Sequence, residues 1–141
     1  MSTDIRAELS KSSKYYVSKH RYYELKHYCL QYPEWKRQYC EALLLSGIDI
    51  SDKVVNQIEF MDPVKKVAER TEQLLNDIYL VEDTARDTDV NLWQYILVAV
   101  TEGLSFDKLK ARLEIPCGRE MFYDRYRKFF WLLDQKHHAG D

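Results

Sequence analysis

The chain has 141 residues, of which 45% are hydrophobic and 31% are charged, as is usual for a globular domain with a buried core. It contains only four glycines and three prolines, which favours helices over a turn-rich β fold. No apolar run approaches the roughly 18–20 residues that a membrane span requires, and no signal-peptide pattern opens the sequence. We therefore expect an all-α, cytoplasmic protein that does not associate with membranes.

The net charge of −2 conceals an uneven distribution along the chain. Residues 1–40 hold eight Lys and Arg against four Asp and Glu, residues 41–91 hold five against twelve, and residues 92–141 hold eight against seven. This polarity permits local contact of either end with phosphate groups, but it predicts weak non-specific binding to nucleic acid. We expect the acidic middle of the chain to face away from any bound DNA.

The N-terminal part divides into a polar flexible arm, residues 1–13, and a helical region, residues 14–90. The first helix is predicted over residues 14–31, with tyrosines interleaved among lysines and arginines. One of its faces carries apolar residues at helical spacing: Tyr22, Leu25, Cys29 and Tyr32. Two interpretations stay open for the tyrosines of this region. They stack on nucleic-acid bases, or they pack against neighbouring helices while the lysines are solvated.

Pro33 is predicted to open a second helix, at a position where its missing amide hydrogen is not needed. This helix should end at Gly47 and bury four residues: Trp35, Tyr39, Ala42 and Leu43. Residues 48–62 have the weakest pattern in the chain and are interpreted as a connector.

A long helix is predicted to begin at Asp62 and Pro63, which suit its N-cap and its first turn. Apolar and small residues then alternate at spacings of three and four over three heptads: Val64, Val67, Thr71, Leu74, Ile78, Val81 and Ala85. A seam of this kind packs against a helix of the same chain or of a second subunit. We favour packing on the tyrosine-rich helix predicted over residues 14–31. The alternative is a homodimer through a subset of the seam: Val67, Leu74, Ile78 and Val81.

Residues 91–136 have the pattern of three helices joined by short turns, followed by a solvated tail over residues 137–141. The first of the three helices is capped by Asp89 or Asn91 and stops at Gly103, which tolerates a left-handed conformation. The second is capped by Ser105, buries Phe106, Leu109 and Leu113, and is broken by Pro116 and Gly118. The third begins near Arg119 and carries one apolar stripe: Phe122, Tyr126, Phe129 and Leu133.

Three helices whose last two are joined by a short turn form a helix-turn-helix, in which the last helix usually lies in the DNA major groove. Beside the apolar stripe, helical spacing places Arg119, Tyr123 and Arg127 on a face that suits guanine edges and phosphate oxygens. Three further side chains complete the predicted DNA-binding set: Lys128, Ser105 and Lys108. The competing interpretation of the two arginines is an ordinary solvated helix face.

The residues from Gly103 to Leu133, in particular Gly103-Leu104-Ser105-Phe106 and Tyr126-Arg127-Lys128-Phe129-Phe130, resemble small prophage-encoded regulators of Gram-positive bacteria. Those proteins are similar to the late-transcription activators RinA and ArpU, and more distantly to region 4 of sigma factors. The resemblance implies a phage-type transcription regulator that binds double-stranded DNA and contacts RNA polymerase in a bacterial cytoplasm. By position it implies DNA contacts at Arg119, Tyr123 and Arg127, and a phosphate contact at Lys128. Six residues separate Ile115 from Phe122, more than a tight sigma-type turn holds, so the last helix is expected to be tilted.

Other functions compete with transcription regulation. A small-terminase-like protein would use the same unit to recognise DNA for packaging, and a phage-encoded inhibitor would use the acidic middle as a nucleic-acid mimic. A Mg²⁺-dependent nuclease built on Asp83 and Asp87 is a weaker alternative, because carboxylates at a helix end are commonly solvated. His20 and His27 lie two helical turns apart, and the cysteines (Cys29, Cys40 and Cys117) have no metal-ligand spacing. We expect no enzyme activity, metal or cofactor.

Overall fold

The computed structural model describes residues 14–53 and 61–139, with side chains described for residues 14–44 and 68–137. Across these ranges the chain forms α-helices and no β-strand. The helices are α1 (Lys19–Leu30), α2 (Tyr32–Lys53), α3 (Met61–Thr88), α4 (Trp93–Glu102), α5 (Phe106–Leu113) and α6 (Arg119–Ala139). The predicted all-α fold is therefore confirmed. None of these described helices is both long and apolar enough to cross a membrane.

The chain divides into two compact units. The small unit is Tyr32–Tyr79, and the large unit combines Met1–Gln31 with Leu80–Asp141. The sequence-based division at residue 90 differs from this arrangement, since α1 belongs with α4, α5 and α6. The physical reason is that α1 packs directly on α4 and α6, so its apolar face completes their core.

Helix α1 is shorter than the predicted helix over residues 14–31, because it begins after Ser18, whose side chain accepts a hydrogen bond from the Arg21 amide. Its predicted apolar face is confirmed, with Tyr22, Leu25 and Cys29 almost completely buried. The ring centroid of Tyr22 lies 5.0 Å from that of Phe130 in α6. Aromatic packing of this kind explains why α1 is held in the large unit.

In the small unit, Pro33 lies in the first turn of α2, as predicted. Two other expectations about this helix are wrong. The helix continues through Gly47 to Lys53, because one glycine weakens a helix by only about 1 kcal/mol and does not terminate it. Leu43 is 47% exposed rather than inward-facing, whereas Trp35 is buried as predicted. Of the predicted connector, residues 54–60 lie outside the described residues, and the residues on either side of them are helical.

The seam of α3 is buried within the single chain from Leu74 onward, at Leu74, Ile78, Val81 and Ala85. Homodimerisation through Leu74, Ile78 and Val81 would therefore need side chains that the chain itself already covers. The side chains of Val64 and Val67 lie outside the described residues.

Local signals in the sequence correctly locate most of the helix ends in the C-terminal part. Gly103 ends α4 with a φ of 69°, and the Ser105 side chain caps α5 by accepting a hydrogen bond from the Lys108 amide. At the start of α4, the N-cap position is Leu92, which makes no side-chain capping bond. Asp89 instead accepts hydrogen bonds from the amides of Asn91 and Leu92, and so fixes the turn that precedes the helix.

The expectation of a solvated tail from residue 137 is wrong, since α6 continues to Ala139. The imidazole of His137 packs edge-on against the ring of Tyr28, with ring centroids 4.8 Å apart. Its Nδ1 atom lies 3.2 Å from Nη2 of Arg21. The last turns of α6 are thus covered by α1, a contact between residues more than one hundred positions apart that local sequence patterns do not reveal. The side chain of His138 lies outside the described residues.

Candidate nucleic-acid interface

The turn between α5 and α6 is held in place by a buried side chain and by a hydrogen bond from α5. Helix α5 ends at Leu113, and Glu114 adopts a left-handed conformation with a φ of 52° while its amide donates to the Lys110 carbonyl. The reversal therefore precedes Pro116 and Gly118, whereas the sequence pattern predicts the break at those two residues. Ile115 is completely buried, and Lys110 Nζ donates to its carbonyl oxygen at 3.1 Å. A buried side chain and a lysine bond thus fix the geometry of the turn.

Tyr123 is part of the core between α5 and α6. Its side chain is 4% exposed, and its hydroxyl oxygen accepts a hydrogen bond from the Phe106 amide at 3.2 Å. The expectation that Tyr123 lies on the exposed face of α6 is therefore wrong. Phe106 is the first residue of α5, where backbone amides have no partner within the helix, and the phenol supplies one. Tyr123 therefore stabilises the start of α5, and its buried side chain is not accessible for a DNA contact.

The apolar stripe of α6 is confirmed, because Phe122, Tyr126, Phe129 and Leu133 are all buried. On α5, Phe106 and Leu109 are buried as predicted, but Leu113 is 44% exposed. Leu113 lies at the very end of the helix, where the chain has begun to turn away and no longer covers it.

Arg119, the first residue of α6, is half-exposed and ion-paired. Its Nη2 atom lies 2.5 Å from Oδ1 of Asp107 in α5, and its guanidinium carbon lies 5.3 Å from the centroid of the Phe106 ring. The predicted contact residue is therefore accessible but already oriented by two neighbours. Ser105, another predicted contact, is partly exposed, and its hydroxyl oxygen is engaged as the cap of α5.

Four cationic side chains on α5 and α6 have no hydrogen-bond or ion-pair partner among the described residues. Lys108 and Arg112 are exposed, and Arg127 and Lys128 are partly exposed. No hydrogen bond or ion pair joins any of these four side chains to another described residue. We call Lys108, Arg112, Arg127 and Lys128 the open cations. Arg112 is absent from the predicted set, although its spacing of four residues from Lys108 places both on one helix face.

The remaining long cations of α6 have carboxylate partners within the large unit. Arg125 Nε lies 2.7 Å from Asp89, with Asp124 as a second partner, and Lys136 lies 2.5 Å from Asp87. The exposed side of α6 also carries Glu120. The surface is therefore mixed in sign, and its capacity for anions lies in the open cations.

The aspartates at the end of α3 are neutralised within the same unit. Asp83 pairs with Arg86 at 3.1 Å, while Asp87 and Asp89 pair with cations of α6. Burial opposes ionisation of Asp89, yet hydrogen bonds from Arg125 and two backbone amides hold its pKa below the ordinary value. A nucleic-acid mimic would need free carboxylates, whereas Asp83, Asp87 and Asp89 are each paired with a cation. Among the described residues, no three His, Cys, Asp or Glu side chains are grouped so that they could hold a metal ion.

Comparison with models of protein families, with curated proteins and with solved structures gives no match to this chain. The resemblance of residues 103–133 to phage regulators therefore stays a prediction.

Proposed function

We propose that this chain is a sequence-specific DNA-binding protein that contacts duplex DNA through α5 and α6. The observation that carries the proposal is the set of open cations on two consecutive helices joined by an anchored turn. Arg119, Arg125 and Lys136 are paired with carboxylates, and Lys110 donates to the Ile115 carbonyl. The four open cations are therefore the ones that are available to phosphate groups. A helix-turn-helix needs this division, in which some side chains fix the unit and others bind the DNA backbone.

The two helices would have different tasks. In helix-turn-helix proteins the first helix crosses the phosphate backbone, which suits Lys108 and Arg112 on one face of α5. The second helix enters the major groove, and α6 offers Arg119 at its start and Arg127 with Lys128 two turns later. Phosphate contacts by the four open cations would give a salt slope of up to about −3.6 in a plot of log affinity against log salt.

A role in transcription, a contact with RNA polymerase and a phage or prophage origin are further parts of the proposal. They rest on the resemblance of residues 103–133 to phage regulators. The overall charge of −2 agrees with a protein that binds poorly to arbitrary DNA and needs specific contacts for affinity.

The test begins with selection of binding sites from a library of random duplexes by the native chain. Affinity for the selected site is then measured for the native chain and for Lys108→Gln with Arg112→Gln. We expect the double variant to lose at least about ten-fold in affinity and to have a salt slope shallower by about 1.8.

The matched control is Lys19→Gln with Lys36→Gln, which removes two exposed lysines from α1 and α2. It should retain most of the affinity for the selected site. Equal losses in the two double variants would show that the N-terminal cations, or net charge alone, determine binding. No selection of any duplex at low salt would show that the protein is not a DNA-binding protein.

A further inference from the structure

The ion pair between Asp107 and Arg119 spans the two helices of the candidate interface. Asp107 lies in the first turn of α5 and Arg119 is the first residue of α6, and their side chains are 72% and 48% exposed. An exposed pair of this kind contributes little to stability, because water screens the two charges. Folding alone therefore gives little reason to hold an arginine there.

The guanidinium group of Arg119 has a second contact, with the ring of the buried residue Phe106. It lies 5.3 Å from the centroid of the Phe106 ring, at a distance typical of a cation–π interaction. Phe106 is buried, its amide donates to the Tyr123 hydroxyl, and its ring centroid lies 5.8 Å from that of Phe122. The platform under Arg119 thus belongs to the core of the large unit.

Arginine has five N–H donors, and Asp107 is the only hydrogen-bond acceptor for them among the described residues. The other donors have no acceptor among the described residues, so they are available to a ligand that reaches the start of α6. An arginine that is already oriented loses less conformational entropy when it binds, which favours a bidentate contact over a loose one.

The charge of Asp107 determines which kind of acceptor is favoured. A carboxylate beside Arg119 repels a phosphate group, which carries a full negative charge, much more than it repels the neutral O6 and N7 acceptors of guanine. We propose, on the basis of the proposed DNA-binding function, that Asp107 is a positioning residue that directs Arg119 to a guanine edge and away from phosphate. Asp107 would then determine selectivity without contacting a base.

The test compares the native chain with Asp107→Asn and with Asp107→Glu. Dissociation constants are measured on the selected duplex and on a scrambled duplex of the same composition, each at two salt concentrations. We expect Asp107→Asn to reduce the ratio of selected to scrambled affinity by at least about five-fold, the lower limit for one arginine–guanine contact. Its salt slope on scrambled DNA should become steeper by about 0.9, because Arg119 then binds a phosphate. Asp107→Glu, which keeps the carboxylate, should retain most of the selectivity.

The control is Asp83→Asn, which removes the same charge from an exposed ion pair on α3. Thermal unfolding of all variants checks that they remain folded. If Asp107→Asn and Asp83→Asn have the same selectivity ratio, Asp107 does not position Arg119 and the inference is overturned, while the DNA-binding function stands. If the native chain does not discriminate between the two duplexes at either salt concentration, the proposed function and this inference both fail.

Discussion

The hydroxyl group of Tyr22 in α1 lies 2.7 Å from the hydroxyl group of Tyr126 in α6, and both side chains are buried. This hydrogen bond joins residues that are 104 positions apart. It makes the tyrosine-rich helix a structural part of the unit that carries the candidate interface. For Tyr22, packing is therefore the correct interpretation, and its ring is not available to stack on bases.

The Tyr22–Tyr126 pair should be measurable in a double-mutant cycle. We expect Tyr22→Phe and Tyr126→Phe each to lower the free energy of unfolding by about 1 kcal/mol, as is usual for a lost intramolecular hydrogen bond. The double variant should lose clearly less than the sum of the two, since both substitutions remove the same bond. Urea unfolding measures all four proteins, and strictly additive losses would show that the two hydroxyls do not interact.

A fragment of residues 91–139 tests whether the last three helices form an independent domain. In the full chain Tyr22 covers Tyr126 and Phe130. Without α1 these aromatic side chains would be exposed to water, so we expect the fragment to lack a cooperative thermal transition. Circular dichroism on heating gives the answer. A sharp transition near that of the full chain would support the sequence-based domain boundary at residue 90 instead.

The ion pair of Asp89 and Arg125 makes stability depend on pH in acid. The pKa of Asp89 lies below its ordinary value of 3.8 in the folded chain. Its stabilising contribution is therefore fully present above that value and is lost as the pH falls through the lowered folded pKa. We expect Asp89→Asn to be less stable than the native chain by about 1 kcal/mol at pH 7. The difference should narrow below pH 3.8. Denaturant unfolding at several pH values measures it, and a constant difference down to pH 2 would contradict the assignment.

A substitution at Tyr123 tests whether this residue has a structural role or contacts DNA. Tyr123→Phe keeps the ring but removes the acceptor for the Phe106 amide, so we expect a loss of about 1 kcal/mol in the free energy of unfolding. Affinity for the selected duplex should change less than two-fold at a temperature where the variant is fully folded, because the hydroxyl is buried. A large loss of affinity in a stable variant would restore Tyr123 to the DNA-binding set.

Whether a feature could be predicted from the sequence depends on how far apart along the chain its interacting residues lie. Gly103, the Ser105 cap and the stripe of α6 depend on neighbours within a few residues, and periodicity or capping chemistry locates them correctly. Tyr123 lies at the edge of that stripe, and whether such an edge is buried depends on the helix that packs there. The cover of α6 by α1 depends on pairing across most of the chain, which no local pattern contains.

Local sequence patterns are limited in the same way at the candidate site, because they do not reveal contacts between helices. Spacing on α6 correctly predicts that Arg119, Arg127 and Lys128 are accessible to some degree, and Lys108 on α5 is exposed as well. It does not show which of them is paired, because the partner of Arg119 lies on α5, twelve residues earlier in the chain. Helical spacing therefore locates accessible cations on α5 and α6, whereas the contacts between the helices distinguish the open cations from the paired Arg119.

The most direct measurement is the salt dependence of binding to the selected duplex, for the native chain and for a variant with all four open cations changed to glutamine. We expect a native slope between about −3 and −4, and a slope of about −1 or shallower in the variant. Such a change would assign the phosphate contacts to Lys108, Arg112, Arg127 and Lys128. A slope that is the same in both proteins, or no binding by the native chain at low salt, would contradict DNA binding through α5 and α6.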